Sequence, residues 1–358
     1  MFISPSIEGL NFAEKVLMNQ ARTRWLLTAF LVISLSPLRG WGRSLSLYEW
    51  HPPQAMAPLI LAVRAHESPE QAATRYLEGL MRTPELAELF QGQKPQLDQE
   101  NFRRLKDSNL EHRALLVANN PRAFQLNYAP LDGLMKAFEA SGHQSYILPL
   151  NADLGLTTTE RAQFFEEIAQ RFPLLVPMGG DDVDPSLYDE TTTLARSTNW
   201  TRDRFELQLI KSYVSKAKGF ILGICRGSQL TSVALGYKLN QDLPSLKGTD
   251  VPHANHWHPI QVSSTSHQIL KSLTRGSDFI HVNSLHHQSV RFQSGGHLEL
   301  AAVSADGTTE ATEFKDGRGL LLQFHPELMN NDLGLRILTK VIEQKNKTLT
   351  PRCHRVLQ

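Results

Sequence analysis

Cysteine is nearly absent: the 358-residue chain holds two, Cys225 and Cys353. A disulfide framework is thereby excluded, and a single bridge would have to join mid-chain Cys225 to the far C-terminal tail. Charge of one sign is missing as well. The formal net charge is +1, which gives no basis for a nucleic-acid partner or a strongly acidic surface. No internal repeat or low-complexity tract is present. What remains is an ordinary apolar and charged content, over a length that buries a sizeable core in one main domain with extra segments.

The longest apolar run is short. Arg22 and Arg24 precede Trp25 to Leu35, and Ser36, Pro37 and the small residues around Gly40 and Gly42 follow. A positive start, a short apolar stretch and small residues at a cleavage point form an export-signal pattern, and the run is too short for an ordinary transmembrane helix. Residues 1–43 are therefore expected to be a signal peptide or membrane anchor. The chain is then exported, periplasmic or extracellular, with transient membrane association through this segment; a core helix in a cytoplasmic chain is the alternative. Residues 44–111 are read as a helical extension on the spacing of Leu59, Ile60 and Val63, of Ala72, Tyr76, Leu77 and Leu80, and on Thr83-Pro84-Glu85 as a further helix start.

From residue 112 the rhythm becomes strand–helix–strand. Arg113 to Ala118, Gln144 to Leu150 and Phe172 to Met178 read as strands, alternating with helices over Leu131 to Ala140 and Thr159 to Arg171. Thr201 to Lys218 reads as an amphipathic helix on Phe205, Leu209, Tyr213 and Ala217. The fold class is α/β, a mostly parallel sheet flanked by helices, over residues 112–345 and followed by a tail at 346–358. Ligands on such sheets bind beyond the carboxyl ends of the strands.

Two glycine-bearing stretches fall at such ends. The stretch from Phe220 to Gln229 opens on an apolar run that reads as a buried strand and ends in Gly223-Ile224-Cys225-Arg226-Gly227, and Leu230, Val233, Ala234 and Leu235 continue as a helix face. Strand, sharp turn and helix is the architecture of a nucleophile elbow, which pushes Cys225 out where the helix N-terminus favours an anion. A buried structural cysteine between turn glycines is the plainer reading of the same residues. The third strand delivers Gly179-Gly180-Asp181-Asp182, and glycines there let backbone N–H groups approach a substrate oxygen, as an oxyanion hole requires.

A base is sought among fourteen histidines. His325 follows an apolar strand within Gly319-Leu320-Leu321-Leu322-Gln323-Phe324-His325-Pro326-Glu327, and Glu327 lies two residues on, facing the same way in an extended segment. The carboxylate can fix the imidazole tautomer and leave the other nitrogen to the thiol, giving a Cys225–His325–Glu327 triad. His286 and His287 follow a strand over Asp278 to Val282 and are read as facing the substrate. His253, His256 and His258 are close enough to suggest a metal, but no Cys or carboxylate completes the set in sequence, so a solvated loop is expected and no metal.

Five segments occur in one order: the Cys225 elbow, Gly179 to Pro185, Asn283 to Gln288, Ser304 to Ala311, and Gln323 to Glu327. Together they resemble the class I glutamine amidotransferase-like superfamily, whose fold is flavodoxin-like, and within it the free-standing gamma-glutamyl hydrolase branch. The resemblance spans roughly residues 112–345 and departs at Gly236-Tyr237-Lys238, where that branch has a second glycine. It implies Cys225 as nucleophile, His325 as base and Glu327 as its orienter, with oxyanion N–H groups from Gly180 and Arg226. It implies that Gln229 and Asn283, Ser284, Leu285 and His286 hold the amino-acid end of a small gamma-glutamyl substrate, and that no cofactor is used. A glutaminase subunit serving a synthetase, or a non-catalytic binding protein on this fold, are the alternatives.

Overall fold

The computed structural model describes residues 45–53, 55–82, 97–117, 129–216, 219–248, 250–263 and 269–349. The chain divides into a unit of residues 1–44 and a unit of residues 45–358. The first unit, with its export-signal expectation, lies outside the described residues, as do Cys353 and the helix start at Thr83.

Strands β1 (Leu45–Trp50) and β2 (Leu59–Arg64) precede helix α1 (Pro69–Met81), and β3 (Phe102–Arg104) precedes β4 (Arg113–Val117). Then α2 (Ala129–Ala140), β5 (Gln144–Leu148), α3 (Thr158–Arg171), β6 (Leu174–Pro177), α4 (Trp200–Lys216), β7 (Phe220–Ile224) and α5 (Arg226–Ala234) alternate as the periodicity requires. The remainder is strand-rich: β8 (Lys238–Asn240), α6 (Leu243–Lys247), β9 (Ala254–Val262), β10 (Phe279–Leu285), β11 (Ser289–Arg291), β12 (Leu298–Ser304), β13 (Thr309–Phe314) and β14 (Gly319–Leu322), closed by α7 (Asp332–Leu349).

Twelve of these strands form one sheet in the order β10-β9-β12-β13-β14-β7-β6-β4-β5-β2-β1-β3. Its centre, β14 through β2, is parallel, and both wings are antiparallel. The centre is buried on both faces, which is why its strands read as unbroken apolar runs. In β7, Phe220, Leu222 and Ile224 pack into the core on one face and Ile221 into the core on the other. Helix α3 starts on a capping box, Thr157 accepting from the Glu160 N–H and Glu160 accepting from the Thr157 N–H.

The segment before residue 112 is not the helical extension that its spacing suggested. It holds one α-helix among the described residues, α1, and contributes β1, β2 and β3 to the main sheet, with Leu59 of β2 beside Ile147 of β5. Leu59 to Val63 is buried throughout, and a short apolar run of that kind carries no period that separates helix from strand. Among the described residues no helix is long and apolar enough to cross a membrane.

Candidate active site

The parallel pairing of β6, β7 and β14 puts their carboxyl ends side by side. They deliver, respectively, Gly179, Cys225 and His325. Cys225 is the residue between β7 and α5, held with φ +51° and ψ −110°, a conformation that costs a side-chain-bearing residue of order 1–3 kcal/mol and marks functional turns. Its N–H donates to Leu322 O at 2.7 Å, locking the elbow to β14. Gly227 is required here: a Cβ on it would drive into the Pro177 carbonyl at the end of β6. The thiol is reduced and buried.

His325 lies against it. Its Nδ1 is 2.7 Å from Glu327 Oε1, leaving Nε2 for the cysteine. Burial by itself would lower the His325 pKa, but Glu327 and Cys225 on its two sides outweigh it and hold the pKa well above the ordinary imidazole value. A Cβ on Gly179 would sit 2.9 Å from His325 Cε1 and 3.6 Å from Cys225 Cβ, so only a glycine fits beside the pair. Gly180 follows with φ +146°. Arg226 is the first residue of α5, where backbone N–H groups have no partner within the helix. Cys225, His325 and Glu327 thus converge beside Gly179.

The Arg226 side chain has a different task. It is buried and paired with Asp203 and, at 2.6 Å, with Glu206 of α4. Glu206 also takes Arg202 Nε at 2.9 Å, and Arg202 Nη2 donates to Gly179 O at 3.1 Å. Asp203 accepts the Asp184 N–H at 2.9 Å. Burial and the like charge of Arg226 bring Arg202 down to about 10, so it remains protonated at neutral pH. Two cations and two anions from α4 and α5 therefore clamp the glycine loop to the elbow. Sequence reasoning missed Arg202, Asp203 and Glu206, although their i, i+1, i+4 spacing places charges on the face of α4 that also carries Phe205 and Leu209.

Most of the residues expected to hold substrate are occupied within the protein. Gln229 is buried and donates from Nε2 to Gln288 O and Gln323 Oε1, both at 3.2 Å. Gln323, unforeseen, donates toward Cys225 Sγ at 3.7 Å. Asn283 bonds the His325 backbone, and Ser284 Oγ donates to His253 O at 2.8 Å. β10 runs three residues beyond its expected end, so Asn283 and Ser284 sit inside a strand. Leu285 alone of this group is exposed.

The two adjacent histidines both have partners within the protein. His287 is pinned between Asp182 at 3.0 Å and Asp242 at 3.1 Å. The His286 ring is buried, its Nδ1 donating to Gln288 O at 3.0 Å. The expected solvated loop is also absent for two of its three histidines: His253 and His258 are buried beside Glu310, and only His256 is exposed. Glu310, more than fifty residues downstream, supplies the carboxylate that the local spacing lacked. Burial alone would raise its pKa, but His286 and His253 hold it down at about 2.

The chain is similar to several known proteins. The glutamine amidotransferase-like protein YvdE of Lactococcus lactis is 34% identical over 195 residues, which cover 53% of this chain and 77% of YvdE. Protein NtpR of Enterococcus hirae is 31% identical over 213 residues, 58% of this chain and 84% of its own. A solved glutamine amido transferase from Methylobacillus flagellatus aligns with TM-score 0.44 and 13% identity, covering 68% of this chain and 96% of that one. The family model of Peptidase C26 matches residues 127–327, a span that holds the glycine loop, the elbow and the His325–Glu327 pair, and the chain belongs to that family.

Proposed function

We propose that this chain is a cysteine hydrolase of gamma-glutamyl amide bonds. The reading rests above all on one observation: a buried Cys225 held at positive φ touches an imidazole whose other nitrogen is 2.7 Å from a carboxylate.

In the proposed cycle His325 Nε2 holds the thiol proton, and Cys225 Sγ attacks the gamma-carbonyl carbon. The carbonyl electrons move onto oxygen, which the backbone N–H groups of Gly180 and Arg226 stabilise. His325 returns the proton to the leaving amine nitrogen as the C–N bond breaks, leaving a thioester. Water, deprotonated by the same imidazole, attacks the thioester; sulfur leaves, takes the proton back, and glutamate is released. Glu327 keeps Nδ1 protonated throughout and balances the imidazolium.

Gln229, Asn283 and Ser284 then act as positioning residues, since their side chains are engaged internally, and Leu285 is left to face substrate. The Trp25 to Leu35 run supports the further reading that the enzyme works outside the cytoplasm, on external gamma-glutamyl peptides or amides.

The test is turnover of the purified chain on a panel of gamma-glutamyl amines, gamma-glutamyl peptides, folyl-polyglutamates and glutamine. Release of glutamate from one of the first three classes, faster than from glutamine, supports the proposal. Glutamine as the single substrate turned over would overturn it in favour of a glutaminase. No turnover of any of them would leave a binding protein on this fold.

A further inference from the structure

Behind the catalytic strands, three imidazoles converge on one carboxylate. His253 Nδ1 lies 3.2 Å from Glu310 Oε1, and His258 Nε2 and His286 Nε2 each lie 3.6 Å from the same oxygen. All four side chains are more than nine-tenths buried, and none of these atoms makes a hydrogen bond.

The opposite ring nitrogens explain why. His253 Nε2 is 3.2 Å from Asp306 Oδ2, His258 Nδ1 is 3.2 Å from Pro259 O, and His286 Nδ1 is 3.0 Å from Gln288 O. Each of those acceptors takes a hydrogen, so in the neutral rings the inward nitrogens carry lone pairs. Lone pairs aimed at an ionised carboxylate repel unless a cation lies among them, either a proton on an inward ring nitrogen or a metal ion.

We propose that His253 Nδ1, His258 Nε2 and Glu310 Oε1, whose ligand atoms lie within 4.8 Å of one another, form a site for a zinc-class divalent metal ion, with the His286 ring packed beside it. Zinc bonds of about 2.0–2.2 Å to nitrogen and oxygen set ligand atoms about 3.3–3.5 Å apart at the corners of a tetrahedron. The observed 3.2 and 3.6 Å from Glu310 Oε1 to His253 Nδ1 and His258 Nε2 lie about that edge, whereas 3.6 Å is too long for a direct hydrogen bond. The outer shell is in place too. Asp306, itself fixed by Ser304 Oγ at 2.6 Å and the Thr308 N–H at 2.9 Å, orients His253 in the carboxylate–histidine–metal manner.

Three protein ligands leave the fourth position of a tetrahedral ion to water. The ion's work is to join the strand ends at β9 and β13. Glu310 O accepts the Gln323 N–H at 2.8 Å, two residues before His325. The ion thus braces the strand that carries the base, and gives the Ser304 to Ala311 segment a purpose that the triad does not require.

The experiment uses the full chain in a Cys225→Ser background, so that no thiolate captures metal at the active site. The protein is loaded with Zn2+, passed through gel filtration and analysed by inductively coupled plasma mass spectrometry. About one equivalent per chain is expected, falling below about 0.1 in Glu310→Gln and in His258→Ala. Loading with Co2+ should give the intense visible bands of a tetrahedral site, and stripping the metal with dipicolinate should lower Tm. If the variants fail to fold, the cobalt spectrum and the chelator effect on the parent decide alone. A parent chain that retains neither ion and whose Tm ignores the chelator overturns the proposal. So does metal retained undiminished in both folded variants, which would put it elsewhere.

Discussion

Asn283 grips the backbone of His325 from both sides: its Oδ1 accepts the His325 N–H at 3.1 Å and its Nδ2 donates to the His325 carbonyl at 2.9 Å. The imidazole is thereby fixed from β10 while Glu327 fixes its ring. Asn283→Ala should lower kcat by roughly 10–100-fold, because small misplacement of a reacting group is costly. KM should change much less. A fall in activity carried wholly by KM would return Asn283 to direct substrate binding.

Cys225 and His325 act as a unit in the proposed chemistry. Cys225→Ala and His325→Ala should each lower turnover by at least about three orders of magnitude, and the double variant should be hardly worse than either. Glu327→Gln should cost less, since orientation is part of the task and not the whole. Steady-state kinetics on the substrate found in the panel measures all four. Losses that add in full would release His325 from its role as base.

The charge clamp behind the glycine loop gives a stability prediction with an internal control. Glu206→Leu leaves Arg226 with Asp203 and Arg202 with only the exposed Asp181 at 3.6 Å, and removing one partner of a buried pair costs about 3–5 kcal/mol. Arg202→Met combined with Glu206→Leu keeps Arg226 against Asp203 and restores neutrality, so urea unfolding should show most of that loss recovered. A double variant as unstable as the single would argue that packing and not charge holds the clamp together.

How far the sequence reveals this molecule depends on the reach of each signal. The alternation of β4 to α5 is written in local periods, and it reappears in the structure with boundaries moved by a few residues. The triad is legible for the same reason: Cys225 is announced by its flanking glycines, and His325 and Glu327 are two residues apart. The Arg202, Asp203, Glu206 and Arg226 clamp is not, because charges on an amphipathic helix read as solvated until a second helix arrives with opposite ones. Nor is Glu310 beside His253 and His258, since β13 and β9 come together only through β12, which lies between them in the sheet. β2 hides likewise. Its place is settled by pairing with β5, far along the chain, and not by any pattern within Leu59 to Val63.

Residues 1–43 carry the proposal of export. The mature chain is expected to begin near residue 36–44 and to be found outside the cytoplasm. Fractionation of the native host followed by N-terminal sequencing measures both. An unprocessed cytosolic chain starting at Met1 or Met18 would remove the export reading and make intracellular gamma-glutamyl amines the substrates to try first.

His287 supplies a pH dependence whose direction is fixed by its partners. Its Nε2 faces both oxygens of Asp182 at 3.0 Å, and its Nδ1 faces Asp242 Oδ1 at 3.1 Å, so the protonated ring can donate on both sides. The bond to Asp182 raises the pKa most, burial opposes it, the bond to Asp242 adds to it, and the nearby Arg196 opposes it; the folded value ends above the ordinary one. Folding therefore takes up the proton more tightly than the unfolded chain, whose imidazole titrates near about 6.5. The stabilisation is complete below that pH and is lost as pH rises through the raised folded value. His287 ties the glycine-loop residue Asp182 to Asp242, which caps α6 through the Ser245 N–H at 3.0 Å, so the loss should be felt at the active-site rim. Thermal unfolding of the parent and of His287→Gln, from about pH 5.5 to 9, should show a Tm gap that is widest at the acidic end and narrows steadily above about 6.5. A gap that stays constant or widens with pH would mean that His287 is held there as a neutral ring, and that its two aspartates serve packing and not charge.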